Sequence, residues 1–214
     1  MEKFATFLVI AVLCIIGVCF LKNKRGDVTL VKSTIDGDSY FVRNLPDKQD
    51  AANRLSFIRG KLTELVKLLS NEKPDSLYEQ FVKGDKMETQ MSVTEFTSCL
   101  KQLINKYKDT AETFSESTPD AKYTSYSVNK GEQLVFCLRL KKEGDRLVPK
   151  NTILFVALHE LSHLMTKTIG HGDDFWRNFR FILKAAIHYG IYTRVDFGSN
   201  PEPYCGIKIT DTPY

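Results

Sequence analysis

The sequence lacks a charge excess of one sign over most of its length. It has 30 basic and 26 acidic residues, but four of the basic and one of the acidic residues fall within residues 1–25, which leaves residues 26–214 nearly neutral. A nucleic-acid-binding surface usually shows a concentrated basic patch. The sequence therefore does not indicate a nucleic-acid partner, and its 43% hydrophobic content excludes a wholly disordered chain.

Long hydrophobic runs are absent except for residues 4–21, which contain no charge. As a helix, 18 residues extend about 27 Å, close to the hydrocarbon thickness of a bilayer. The run is longer than the apolar part of a signal peptide, and a basic stretch at 22–25 follows where a cleavage site would be expected. We therefore predict an uncleaved transmembrane helix, with the lipid bilayer as the partner of residues 4–21.

The flanking charges and the scarce cysteines predict the location of the remaining chain. More basic residues follow the apolar run than precede it, so the positive-inside rule predicts a single-pass membrane protein with its soluble part on the cytoplasmic side. Outside the run only Cys99, Cys137 and Cys205 remain. Three widely spaced cysteines do not make a disulfide framework, so we expect free thiols in a reducing compartment.

Hydrophobic periodicity predicts a mixture of strands and helices. Runs at 28–33 and 39–43 flank an Asp-Gly turn and predict a hairpin. Apolar residues at three- and four-residue steps predict a helix over about 47–70 and a second over about 93–107. Residues 109–123 are polar and predict a loop. Two strands, at about 124–128 and 133–140, are predicted to follow, joined by a turn at 129–131.

Three of the four histidines lie in one segment, at positions 159, 163 and 171. The first two form the motif HELSH (residues 159–163), within an apolar stretch that predicts a helix capped by Asn151 or Thr152. Residues four apart lie on the same helix face, so both imidazoles can reach one ion. The pattern predicts a zinc site.

His171 supplies the third predicted ligand. Gly170 and Gly172 flank it, which allows the chain to reverse and bring the imidazole back towards the first two. Asp173 is then a candidate N-cap for an aromatic-rich helix. Three histidine ligands leave the fourth position open, which is typical of a catalytic zinc site.

The residues around the predicted zinc suggest a hydrolytic mechanism. Glu160 is placed to take a proton from a metal-activated water and is the candidate catalytic base. Tyr204 is a candidate transition-state stabiliser, although a packing role is the simpler explanation. Cys205 is expected to be a buried thiol, His188 a core residue or a neighbour of the ligands, and Asp173 and Asp174 candidates for orienting a ligand histidine.

The segment from His159 to Trp176 resembles the WLM/SprT-like group of zincin metallopeptidases, through HELSH, Gly170-His171-Gly172 and Phe175-Trp176. The resemblance implies zinc at the three histidines and Glu160 as general base. It also implies a small α+β fold in which an antiparallel or mixed sheet packs on the HExxH helix and an edge strand borders the cleft. The strand predicted at 133–140 would be that edge.

Residues 42–49 and the apolar run look like membrane-anchored metallopeptidase-like proteins of large DNA viruses, which implies a host or virion membrane. The expected organisation is an anchor at 1–25, a hairpin and helical region at 26–118, and a zincin-like core at 119–214. The expected function is a membrane-anchored zinc-dependent metallopeptidase acting on polypeptides. The alternatives are a non-catalytic membrane or virion protein with a structural metal, and a protease acting on DNA-bound proteins.

Overall fold

The computed structural model describes residues 27–85, 91–140 and 144–213. It begins with an antiparallel hairpin of β1 (Val28–Lys32) and β2 (Ser39–Arg43), whose turn contains Gly37 at a φ of +77°. Helix α1 (Lys48–Asn71) follows and buries one apolar face against this sheet. The predicted hairpin and first helix are confirmed.

The middle of the chain contains three short elements that the sequence pattern did not indicate. Helix α2 (Pro74–Phe81) precedes the predicted helix α3 (Val93–Lys106), whose N-cap Ser92 accepts a hydrogen bond from the Glu95 amide. Residues 109–123 were predicted to be a loop, but they contain a short 3₁₀ helix (Ala111–Thr113) and strand β3 (Phe114–Glu116). The prediction of a loop is therefore wrong for residues 111–116, whereas the rest of the range contains no helix or strand.

The second part of the chain carries the remaining elements. Strands β4 (Tyr126–Val128) and β5 (Gln133–Phe136) precede a small pair formed by β6 (Arg139–Leu140) and β7 (Arg146–Leu147). They are followed by α4, α5 and a C-terminal hairpin of β8 and β9, which span Lys150–Met165, Asp173–His188, Glu202–Tyr204 and Ile207–Ile209, respectively.

The five-stranded sheet has the order β1-β2-β3-β5-β4 and mixes parallel and antiparallel pairs. The segment predicted as the edge of the cleft, 133–140, is divided between β5, which lies between β3 and β4 and is internal to the sheet, and β6, which pairs separately with β7. The edge beside the HExxH helix is β4 instead. The expectation of an α+β fold with a mixed sheet packed on that helix is confirmed.

Helix α4 lies at the centre of the molecule. It contacts α1, α3, α5 and β4, and most of its residues are buried. Its N-cap position is Pro149, without a side-chain cap, so the prediction of Asn151 or Thr152 as the cap is wrong: both lie inside the helix and have other partners. The Asn151 amide donates to the Thr193 carbonyl at 2.8 Å, and the Thr152 hydroxyl donates to Glu202.

The transmembrane part of the predicted fold is not supported. The predicted helix at residues 4–21 lies outside the described residues, and none of the described helices is long and apolar enough to cross a membrane. The longest of them, α1, carries charged residues along its length. The expected fold class is therefore wrong in its membrane-spanning helix, and the expectation of a single-pass membrane protein is withdrawn with it.

The expectation of free thiols is wrong for two of the three cysteines. Cys137 and Cys205 form a disulfide between the end of β5 and the C-terminal hairpin, while Cys99 is free and buried. The two cysteines are 68 residues apart, so no local sequence pattern indicates that they pair. The argument from cysteine usage for a reducing compartment therefore fails.

A buried ion-pair network holds the sheet to the start of α1. The Arg139 guanidinium donates to Glu116 on β3 and to both carboxylate oxygens of Asp47, at 2.7 Å in each case. The second Glu116 oxygen accepts the Arg43 amide at 2.7 Å. The side chains of Arg139 and Glu116 are 2% and 1% exposed, so each depends on the other for charge compensation.

The Arg139→Met variant is expected to lose about 3–5 kcal/mol of unfolding free energy, because Glu116 would remain buried without its counter-charge. Denaturant-induced unfolding measures this loss. The matched control is Lys61→Met, which removes a partly exposed ion pair with Glu64 and should cost about 1 kcal/mol or less. Equal losses in the two variants would contradict the importance of the buried network.

Candidate metal centre

The three predicted histidines converge. Their candidate ligand atoms all lie within 4.8 Å of one another, and the Nε2 atoms of His159 and His171 are 3.0 Å apart. Two ligand atoms of a tetrahedral zinc site with bonds of 2.0–2.1 Å are separated by about 3.3 Å. The three imidazoles could therefore hold a metal ion such as zinc.

The side chain of Phe175 supports all three imidazoles. Its ring centroid lies 4.8 Å from His159, 4.4 Å from His163 and 4.7 Å from His171. Because Phe175 is fully buried at the start of α5, it fixes the three rings against the helix pair. Phe175, four residues after the third histidine, therefore packs against all three rings of the cluster.

The histidines are held in their neutral form. Burial, with the charges of His163 and His171 acting in the same direction, lowers the pKa of His159 to about 3. Burial likewise lowers the pKa of His163 to about 4, and it lowers the pKa of the more exposed His171. A neutral imidazole has a free lone pair, which is the form that binds a metal ion.

Two contacts position the loop that carries His171. The Lys130 ammonium donates to the carbonyls of Thr166, Lys167 and Thr168 at 2.7, 2.5 and 2.9 Å, where α4 has ended. The Asp174 carboxylate accepts the Thr168 hydroxyl at 2.6 Å. Together they close the loop from both sides, so the third imidazole is brought back over α4.

Glu160 is buried beside the cluster on the side of the edge strand. Its side chain is nearly inaccessible, and burial raises its pKa to about 8, opposed by a hydrogen bond from the Ser127 backbone of β4. A carboxyl in this position has a raised proton affinity, as a proton-transferring group requires. A cation held by the histidines would shift the equilibrium towards the ionised form.

Tyr204 lines the same cavity as Glu160, although the sequence alone favoured a packing role. Its hydroxyl is hydrogen-bonded to the Ser125 side chain, and the charge of Glu160 adds to burial in raising the pKa of Tyr204. The phenol therefore stays protonated and can donate a hydrogen bond. No sequence signal indicated Ser125, because a single serine before a short strand has no distinctive pattern.

The site opens into two adjoining cavities of about 430 and 480 Å³. Both reach His159, Glu160, His171 and Ser125. The first is bounded by α4, α5 and the C-terminal hairpin, and its wall is mainly apolar, with Phe155, Trp176 and Ile207 among the lining residues. The second extends along β4 and the loop after α4. The two cavities form a cleft that passes across the histidine cluster.

The other candidate residues lie away from this cleft or have different partners. Cys205 is in the disulfide and is not a buried thiol. His188 is exposed at the end of α5, where it contacts Gln80, and is neither core nor a neighbour of the cluster. Gly172 occupies the N-cap position, so Asp173 is the first residue of α5 and not its cap. Asp174 supports the loop and not a ligand ring.

The fold and the cluster define a small α+β protein with a candidate metal centre in an open cleft. Over 212 residues the chain is 32% identical to uncharacterized protein R325 of Acanthamoeba polyphaga mimivirus, covering 97% of this chain and 98% of that protein. The chain therefore belongs to the same family as that mimivirus protein.

Two proteins of iridescent viruses are also similar. Uncharacterized protein 136R of Invertebrate iridescent virus 6 is 28% identical over 174 residues, which cover 78% of this chain and 91% of that protein. Uncharacterized protein 042R of Invertebrate iridescent virus 3 is 36% identical over 84 residues, or 39% of this chain and 50% of that protein. These relatives support a viral origin. No protein-family model and no solved structure matches the chain, so the resemblance to WLM/SprT-like zincins stays a prediction.

Proposed function

We propose that this protein is a zinc-dependent metallopeptidase that hydrolyses peptide bonds in polypeptide substrates. The observation that carries the proposal is the convergence of three neutral imidazoles beside a buried glutamate, in a cleft formed by two adjoining cavities. A closed structural zinc site has four protein ligands and does not need an adjacent carboxylate. His159, His163 and His171 would hold the ion.

Each side chain near the ion has a distinct task in this proposal. Zinc, when bound, supplies a Lewis acid that polarises a carbonyl and makes water more acidic at neutral pH. Glu160 accepts a proton from the attacking water and passes it to the leaving amine. Tyr204 donates a hydrogen bond to the oxygen on which negative charge develops during the attack.

The position of β4 supports an extended polypeptide as substrate. It is the edge of the five-stranded sheet, and two of its residues, Tyr126 and Ser127, line the cleft together with the preceding Ser125. An extended peptide can add to such an edge through main-chain hydrogen bonds, which requires no particular side chain. The apolar wall of the other cavity then gives a site for one large hydrophobic side chain of the substrate.

The test combines metal analysis of the full chain with digestion of a mixed peptide library. We expect about one zinc per chain and cleavage that is lost on chelation and restored by added zinc. A protein that is purified without zinc and does not bind it on addition would contradict the proposal. A protein that holds zinc, unfolds when it is removed and cleaves no peptide would instead have a structural metal.

A further inference from the structure

The disulfide is adjacent to Tyr204, because one of its cysteines is the next residue in the chain. Cys137 follows the last residue of β5, and Cys205 follows Tyr204 in the turn between β8 and β9, with 6.2 Å between the two Cα atoms. Cys205 and Gly206 both have positive φ, at +49° and +88°, which makes this turn tight. The covalent bond therefore holds the tip of the C-terminal hairpin against the end of the internal strand β5.

Hydrogen bonds also connect Cys137 to the Tyr204 hydroxyl. The Cys137 amide donates to Ser125 Oγ at 3.1 Å, and Ser125 Oγ is hydrogen-bonded to the hydroxyl of Tyr204. The backbone of Tyr204 is thus tied to Cys137 through the disulfide, and its hydroxyl is tied to Cys137 through Ser125. The backbone and the hydroxyl of Tyr204 are therefore both positioned from Cys137, the residue that follows β5.

The rest of the hairpin is less firmly held. The outer strand β9 is largely exposed, and Ile207 at its start is 55% exposed. On the inner strand, Glu202 accepts the Thr152 hydroxyl from α4. Without the disulfide, the turn that follows Tyr204 would depend on non-covalent contacts of a hairpin that forms one wall of the cleft.

We propose that the Cys137–Cys205 disulfide is a positioning element for Tyr204, so that turnover at the cleft depends on the oxidised state of this pair. The inference rests on the proposed peptidase function and concerns the regulation of its site. Ser125 is a second positioning residue, since its hydroxyl fixes the direction of the phenol. In this inference both the disulfide and Ser125 act through Tyr204.

Reduction by a phosphine provides a balanced way to open the bond in the folded protein. The phosphine attacks one sulfur and the S–S bond breaks. Hydrolysis of the resulting adduct gives two thiols and the phosphine oxide, so the disulfide gains two electrons and two protons, and water supplies the oxygen. A phosphine is preferred over a dithiol here because thiolates bind zinc and would compete with the histidines.

The experiment uses the full chain in four forms: the oxidised wild type, the phosphine-reduced wild type, Cys137→Ser/Cys205→Ser, and the control Cys99→Ala. Peptide mapping without reduction should first find Cys137 linked to Cys205 in the oxidised protein. Loss of the bond should lower kcat by about 10-fold, against the 100-fold or more typical of losing a transition-state hydrogen bond altogether. Zinc content should stay at one per chain, and Cys99→Ala should keep the wild-type kcat.

A mutant cycle separates positioning from general loosening. In Tyr204→Phe the hydroxyl is already absent, so reduction should change kcat by less than about 2-fold if the disulfide acts through that hydroxyl. Equal fold-losses in the two backgrounds would overturn the inference, as would a full wild-type kcat after verified reduction. Release of zinc on reduction would also overturn it, since the bond would then support the metal centre itself.

Hydrogen exchange gives a readout that does not need activity. After reduction, amides of residues 202–209 should exchange about 10-fold faster, while those of α4 should be unchanged. Unchanged exchange in the hairpin would contradict the inference whatever the activity. A wild type that binds zinc and cleaves no peptide when oxidised, yet shows this exchange pattern on reduction, would overturn the proposed function but leave the mechanical role of the disulfide standing.

Discussion

The Glu160→Gln variant is expected to bind zinc as the wild type does and to hydrolyse peptides at least about 100-fold more slowly. General acid–base catalysis typically contributes a factor of about 10²–10⁴. Glutamine has the shape of glutamate but cannot accept the proton. The measurement is kcat for one cleaved peptide, together with the zinc content of the same preparation.

The surroundings of Glu160 make this substitution a clean test. The side chain is buried, and its named partner is the Ser127 backbone, which can donate equally well to an amide oxygen. Removing an ionisable group from a buried position relieves a desolvation cost. The variant should therefore fold with at least the stability of the wild type, and a loss of activity cannot be assigned to unfolding.

The matched control for this variant is Glu132→Gln. Glu132 is exposed in the turn after β4, where it accepts the Asn129 side-chain amide at 2.7 Å, and it is not among the residues lining the cleft. We expect wild-type turnover from the control. Similar rates for Glu160→Gln and the wild type would remove Glu160 from the mechanism.

The His159→Ala variant is expected to lose both zinc and peptide hydrolysis. His159 lies on α4 with ring centroids 5.0 and 4.9 Å from His163 and His171, so its removal leaves two ligands on one side of the site. Zinc sites with two protein ligands bind far more weakly than those with three or four. The wild type should also lose thermal stability on chelation, since a ligand bound to the folded state stabilises it.

The fourth histidine provides the control. His188→Ala removes an exposed imidazole at the far end of α5 and should leave zinc content, turnover and the response to chelation unchanged. Chelation should not alter the melting temperature of His159→Ala. A stoichiometric zinc content in His159→Ala would show that the ion is bound elsewhere.

Local sequence patterns were sufficient to predict the parts of the site that lie on one helix or directly after it. The spacing of His159 and His163 fixes their common face once the segment is helical, and the glycines around His171 are typical of a chain reversal. The same holds for α1 and α3, whose long apolar stripes have a single regular period. These features depend on neighbouring residues, which a sequence pattern records directly.

The remaining features depend on contacts between distant residues. Strand β3 has three residues, one of them the buried Glu116, and becomes a central strand only because β2 and β5 flank it. Strand β5 is internal and β4 is the edge strand, contrary to the prediction, because β3 pairs with β5 on its other side. The Cys137–Cys205 bond and the Ser125–Tyr204 contact join residues 68 and 79 positions apart, so no local pattern indicates them.

The order of strands has a consequence for any attempt to dissect this protein. The sheet takes β1, β2 and β3 from residues before 118, and β4 and β5 from residues after it. A fragment starting at residue 119 would retain all three histidines yet leave Leu134–Phe136 without its parallel neighbour. The unpaired backbone donors and acceptors of this strand could then pair with another molecule, so truncation at residue 119 should yield aggregates.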